Sequence, residues 1–448
     1  MSSDTPNEEK QYKRAINSWA MYDWANSTFA TSILATILPL YYTSVAAYGL
    51  EPAQATASWA FTNSISGFIA AVISPIIGAI ADFKGSKKFF LALFMLFGSI
   101  ATALLFFVQS GQLLFASILF IIANLGFAGS LVYYDALLPH IAKKDDIDHI
   151  SSHGYSLGYI GGGVLLAINV VMITIIPSFY NEDDQSAITL LMTRLCFVSV
   201  AVWWAVFTIP LLKNVPEPKA TVLPGEAGRH PVVVSLCRLK KTFSEIKKYR
   251  DLFMFLAAYW VYANGINTVI IMAVSMGAEI NLSDNTLIGT LLMVQFVAAP
   301  FAMLFSRLAK NIGAKKCIYI ALGIYWLITV FGYFLSKEWH FWVLGFCVAT
   351  VQGGSQALSR SLIGCLMPKS KSAEFYGFFS VFEKFSSVFG PLLFGIVSTI
   401  MGASRLSVVS LFVFFAGGIL LLRMVDVERG TQMAKSEEVS INEMMSVV

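Results

Sequence analysis

Twelve long apolar segments recur along this chain, and no other feature narrows its folding options so far. They fall near 17–45, 55–81, 88–109, 112–138, 153–177, 187–212, 251–278, 284–309, 315–335, 339–366, 373–400 and 404–425. A bilayer core about 30 Å thick takes about 20 apolar residues per helix, and each segment is of that order. Inside lipid every backbone N–H and C=O has to be satisfied by a helix or a closed barrel. Barrel strands would alternate with period two, and these runs do not. The sequence therefore predicts an all-α polytopic membrane protein with 12 transmembrane helices. Composition agrees: 56% of residues are hydrophobic and only 13% charged, against about 25% charged in soluble domains. The polar opening "MSSDTPNEEKQYKR" leads into a span too long for a cleavable signal.

Orientation follows from the basic residues, which stay on the cytoplasmic side. The N-terminal tail, the even-numbered connections and the C-terminal tail hold 26 of the 31 lysines and arginines. The odd-numbered connections hold two, Lys337 and Arg405, and the acidic "NEDDQ" at 181–185 lies among them. Both termini are expected in the cytoplasm. The basic residues are spread over many short loops, which argues against a nucleic-acid partner. The five cysteines show no metal spacing, and no Walker lysine–serine pair appears, so neither a metal nor another cofactor is expected.

The longest connection divides the chain into an N-terminal bundle (1–212), a linker (213–250), a C-terminal bundle (251–425) and a tail (426–448). The linker begins Pro/Gly-rich. It then places Val232, Leu236, Leu239, Phe243 and Ile246 at helical spacing among lysines and arginines, the pattern of an amphipathic helix on the inner leaflet. "GAIADFKGSKK" (78–88) between spans 2 and 3 is echoed by "SRLAKNIGAKK" (306–316) between spans 8 and 9. Pro139 and Pro368 repeat at nearly the same offset. The two halves read as copies of one six-helix unit.

The first of these loops resembles the G-x-x-x-D-R-x-G-x-R-K signature of the major facilitator superfamily. Gly78, Asp82, Gly85, Lys87 and Lys88 match, Phe83 stands where a basic residue is usual, and Lys84 follows it. In the second copy Ser306 replaces the glycine and Lys310 the aspartate. "WAMYDWANSTFAT", "YYDALLPHIA", "GYSLGYIGGG", "GGSQALSRSLIGCLMP" and "EFYGFFSVFEKFSSVFGPLLFG" together resemble the vacuole-effluxer branch of that superfamily. The resemblance implies two pseudo-symmetric six-helix bundles of the major facilitator fold, with helices 1, 4, 7 and 10 lining a central cavity. Its fungal members are associated with amino-acid release from the vacuole, and the modest length here looks bacterial, which places the chain in a cytoplasmic (inner) membrane.

Ionisable and amide groups at lipid depth cost about 2.5–3.5 kcal/mol each for a charge at the helix centre, so they mark function or pairing. Asp23, Ser27 and Thr31 share a face of span 1, with Asn26 beside it. Glu383 lies eleven residues past Ser372, about 16 Å along the helix. Lys384 follows it, and neighbours in sequence cannot neutralise each other on a helix. Gln352, Gln356 and Arg360 repeat at four-residue spacing in span 10; Asn124, Tyr134 and Asp135 lie in span 4; Asn264 and Asn267 flank Gly265 in span 7. The glycines at 154, 158 and 162 read as a close-packing ridge.

The resulting expectation is a monomeric secondary transporter, not an enzyme, that moves a small polar solute by alternating access. An amino acid or related zwitterion suits the lining best. Asp23, Asn26, Asn124, Tyr134, Asn264, Asn267, Gln352, Gln356, Arg360, Glu383 and Lys384 are its candidate solute contacts. Asp23 and Glu383 are candidates for proton coupling. Gly78, Asp82, Lys84, Gly85, Lys87, Lys88, Asp135 and Arg360 are candidates for the gate. Asp82 is expected to meet a helix N-terminus, and Asp135 to pair with Arg360. Export of drug-like compounds, uptake of peptide or sugar derivatives, and a receptor or scaffold without transport stay open at this point.

Overall fold

The computed structural model describes residues 6–143, 146–226, 228–245, 247–279, 282–386 and 404–446, with short pieces between 389 and 397. Among the described residues there are helices and no strands. In chain order they are α1 (Pro6–Thr28), α2 (Pro52–Lys84), α3 (Lys87–Leu104), α4 (Leu113–Ile141), α5 (Ile147–Thr174), α6 (Glu182–Asn214), α7 (Pro231–Ser244), α8 (Arg250–Glu279), α9 (Asp284–Ile312), α10 (Ala314–Tyr333), α11 (Glu338–Leu366), α12 (Ser372–Phe385), α13 (Ser404–Ser410 continued by Phe412–Arg423) and α14 (Val427–Ser446). Wide π-type turns at Phe29–Leu34 and Tyr42–Ala46 extend α1 to Ala46.

Nine of the described helices are long and apolar enough to cross a membrane, or ten if α13 and α14, bent by 60°, count as one span. The two remaining expected spans are accounted for individually. The tenth is α11, a 29-residue helix whose central glutamines, serines and Arg360 lower its apolar content. The eleventh begins as α12, and most of its second half (387–403) lies outside the described residues. With those two, the chain is the all-helical, many-span membrane protein that the sequence predicts.

Packing divides the chain into two compact units. One holds Met1–Ala70, Lys88–Tyr134 and Leu157–Pro216; the other holds Ala71–Lys87, Asp135–Ser156 and Glu217–Val448. This is not a cut at the linker: the ends of α2 and α4 and the start of α5 are grouped with α7–α14. The 33 residues of α2 extend about 50 Å at 1.5 Å per residue, well beyond the apolar core.

Two surface segments depart from their sequence reading. The 426–448 tail is an ordered helix, α14. Its Arg429 holds Asp251 through two bonds of 2.6 and 2.7 Å. Its Glu437 pairs with Lys248 and with Lys371, the latter at 3.3 Å. Burial pulls the Glu437 carboxyl pKa up, but the two lysines outweigh it and hold it below the usual carboxylate range. In the linker, α7 ends at Ser244, and Ile246 lies outside the described residues. Its buried face includes Ser235, Arg238 and Thr242, whereas Val232 and Leu236 are 40% and 49% exposed. Arg238 tolerates burial because Glu226 pairs with it at 2.5 Å and the Thr221 carbonyl accepts from it.

Candidate functional site

In the first unit, Asp23 is closed over. It is 5% exposed, and the Tyr134 hydroxyl donates to its Oδ2 at 2.8 Å. The Tyr134 ring stacks on Trp19 at 4.3 Å, and the Trp19 indole N–H donates to the Tyr134 carbonyl at 3.0 Å. Glycines on α5 bring its backbone against this face of α1. A Cβ at Gly158 would lie 2.5 Å from Ser27 Oγ and 3.3 Å from Asp23 Cβ; one at Gly161 would meet the Trp24 carbonyl. Thr31 points at Gly162, to whose carbonyl it donates at 3.4 Å. The face of span 1 from which Asp23 and Asn26 were expected to meet solute is therefore a helix–helix contact here, with Asn26 buried in it. Asn124 is likewise buried and spends its Nδ2 on Ser66 of α2 at 2.8 Å.

In the second unit, Arg360 is 2% exposed and fully engaged with side chains and backbone of α4 and α5. Its Nε donates to Ser151 Oγ at 2.9 Å, its Nη2 to the Ser151 carbonyl at 2.8 Å, and its Nη1 to Asp135 at 3.3 Å. Its guanidinium lies 4.2 Å from the centroid of the Tyr155 ring. Ser151 Oγ in turn donates to the Ala357 carbonyl, and Ser361 donates to Asp148 at 2.5 Å. In this arrangement Arg360 is a fastener between α5 and α11, unavailable to a solute. Ser151, Tyr155, Asp148 and Ser361 are participants that the sequence reading missed; only the run of hydroxyls near Arg360 hinted at them.

A second fastener joins α2 to α12. Asp82 Oδ2 accepts the backbone N–H of Glu374, in the first turn of α12, at 2.9 Å. Its other oxygen pairs with Lys87 at 2.7 Å, both side chains buried. The helices approach so closely that a Cβ at Gly78 would overlap the Ala373 peptide, 2.7 Å from its carbonyl carbon. Gly85 has φ +60°, and a Cβ there would strike Ala220. Lys84 is exposed, and Lys88 caps the Val215 carbonyl in the first unit at 2.7 Å. The guanidinium of Arg238, from α7, lies 5.5 Å from the centroid of the Phe83 ring, so a cation reaches the position where the loop signature lacks one. Glu374, also missed, is wholly buried. Its Oε1 accepts from Thr242 of α7 at 2.5 Å, and its Oε2 has no hydrogen-bond partner among the described residues.

Deeper along the same unit, Glu383 and Lys384 sit on α12 with part of each side chain exposed. Asn267 of α8 donates to Ser386 at 2.8 Å, and Ser386 donates to the Glu383 carbonyl at 2.6 Å. Gln352 and Gln356 are also partly exposed on α11. Asn264 is not part of this open set: it is buried, donates to the Trp260 carbonyl and accepts the Gly390 N–H.

Residues 11–435 match the family described as "Vacuole effluxer Atg22 like". The chain belongs to the Atg22-like family. An "Uncharacterized MFS-type transporter YxiO" of Bacillus subtilis is 36% identical over 429 residues, covering 96% of this chain and 98% of the relative. "Autophagy-related protein 22" of Coccidioides immitis is 25% identical over 94% of this chain and 88% of its own. Among solved structures, the human organic anion transporter MFSD10 aligns with a TM-score of 0.69 at 12% identity, over 92% of this chain and 99% of that one. The proton:xylose symporter XylE aligns at 0.67 and 13%, over 96% and 98%. These neighbours show the major facilitator fold. As an Atg22-like member, the protein is an integral membrane transporter whose relatives are transporters and not enzymes.

Proposed function

We propose that this Atg22-like protein carries an amino acid or a related small zwitterion across a bacterial cytoplasmic membrane as a monomer, both termini inside, coupled to protons. The observation that carries the reading is the Glu383–Lys384 pair. Two opposite charges stand side by side within a membrane-spanning helix, each partly exposed and not sealed in packing, with Asn267, Gln352 and Gln356 supplying amides in the same unit. A zwitterion offers a carboxylate to the lysine and an ammonium to the glutamate. An apolar cargo would offer neither charge a complementary group and would displace water from both at a cost of several kcal/mol. Glu383 is the proton acceptor in this scheme, as a carboxylate partly exposed on a membrane-spanning helix beside the proposed solute contacts. Arg360–Asp135 and Asp82–Glu374 act as the gate, holding α11 to α4 and α12 to α2 until the solute site turns inward.

The test is flux in proteoliposomes. Wild type is expected to accumulate one or more labelled amino acids when a pH gradient is imposed. Glu383→Gln is expected to lose accumulation while retaining part of the exchange of solute for solute. Full gradient-driven accumulation by Glu383→Gln would refute the coupling role. Absence of both uptake and exchange for every amino acid, with another solute class transported, would refute the zwitterion.

A further inference from the structure

A cavity of about 930 Å³ lies within the second unit, apart from Glu383 and its neighbours. It is walled by the end of α4, the first turns of α5, α10 and α14, and the ends of α9, α11 and α13. Six cations line it: Lys143, Lys315, Lys316, Lys369, Arg423 and Lys435. All but Lys315 are exposed, and Lys315 is committed to the Arg423 and Val425 carbonyls. Four acids also line it, and three of these already accept protein hydrogen bonds. Glu438 takes the Ser370 N–H and hydroxyl, Asp148 takes Ser361, and Asp426 takes the Arg429 N–H. The floor is apolar, built from Pro139, Ile147, Leu362 and Met367. The first turns of three helices add positive partial charge and the last turns of four add negative partial charge, so the cationic character of the rim comes from its lysines.

We propose that this cavity binds a phosphorylated amphiphile. Its phosphate is held by Lys316 and Lys369 at the rim, and its short apolar body rests on the floor. Separate lysine ammoniums around one opening act as point charges that suit a group of high charge density. The volume is that of a small-molecule site, about 300–1,000 Å³. The same chemistry is offered by the headgroup region of an anionic phospholipid and by a soluble organophosphate. The site stands independently of the transport reading, because none of the proposed solute contacts lines it.

Cys365 forms part of the wall, and exposed Cys237 lies on α7 outside it. The experiment is maleimide modification of the purified protein, read at each cysteine by mass spectrometry. The arms are hexyl phosphate, inorganic phosphate, and nanodiscs of phosphatidylglycerol against phosphatidylcholine. Hexyl phosphate at twice its Kd is expected to slow Cys365 about threefold, since only the unbound fraction reacts, with Cys237 unchanged. Lys316→Gln/Lys369→Gln is expected to abolish the protection, while buried Cys196 and Cys317 stay unreactive and so report an intact fold. Protection by phosphatidylglycerol alone identifies the lipid source, and protection by hexyl phosphate alone the soluble one. No protection in any arm, equal protection by inorganic phosphate, or protection that survives the double substitution overturns the proposal.

Discussion

Neutralising Asp135 is the sharpest probe of the fastener around Arg360. In Asp135→Asn the guanidinium stays in place, 2% exposed, with its bonds to Ser151 but without its carboxylate. Removing one partner of a buried ion pair costs about 3–5 kcal/mol, because the other charge is left uncompensated. The Ser151 carbonyl and hydroxyl and the Tyr155 ring still solvate the arginine, so the lower end applies. At about 1.4 kcal/mol per decade, 3 kcal/mol shifts the closed-to-open equilibrium roughly a hundredfold. The assay places a single cysteine at 356, one helical turn from Arg360, and times its reaction with an impermeant maleimide added on the side of the basic loops. Labelling is expected to rise at least tenfold in Asp135→Asn and in Arg360→Gln. The double substitution should open the gate by less than the sum of the two, with a coupling of about 1–3 kcal/mol. Exchanging the residues should recover only the Coulombic part, since an arginine at 135 loses its place against Ser151 and Tyr155. Unchanged labelling in Asp135→Asn, or strictly additive effects, would refute the argument.

Two further outcomes follow from the same unit. Gly78→Ala puts a methyl group 2.7 Å from the Ala373 carbonyl carbon, where carbon contacts need about 3.5–4.0 Å; α2 and α12 should part by about 1 Å, lowering the unfolding midpoint by the equivalent of about 1–3 kcal/mol. A midpoint equal to wild type would show that the contact is not close. Glu437 has a folded pKa below its unfolded one, so its stabilising contribution is present above the ordinary carboxylate range and disappears as pH falls through the folded value. Limited proteolysis with an acid-active protease should accordingly cut α14 faster once the pH is taken below the ordinary carboxylate range, and Glu437→Gln should be cut fast already at neutral pH; a wild-type tail equally resistant at both pH values would refute this.

How much of this was legible in the sequence depended on whether a residue's role was set locally. Segment length and apolar content set the helices. Four-residue spacing was enough to put Gln352, Gln356 and Arg360 on one face, and the 78–88 loop was enough to send Asp82 to a helix N-terminus. The Asp23 stripe shows the limit. Periodicity states which side chains share a face and says nothing of what that face meets; here it meets α5, whose glycines admit a backbone where solute had been expected. Glu374 sits two residues into its helix, a position that usually means headgroups and solvent, and only the approach of α2 and α7 makes it buried. Arg238 stands far from Phe83 in sequence, so no local pattern could join them.

The polarity of α11 has a consequence for how the protein is made. A helix carrying Arg360, two glutamines and a row of serines is one that a lipid bilayer would refuse if it arrived alone, an arginine by itself adding about 2.5–3.5 kcal/mol at the centre of a span. It packs against α9 and α10, and both precede it in translation. The order of synthesis therefore delivers the sheltering neighbours first, and the least lipid-soluble segment enters the membrane as the third member of a group that is already there.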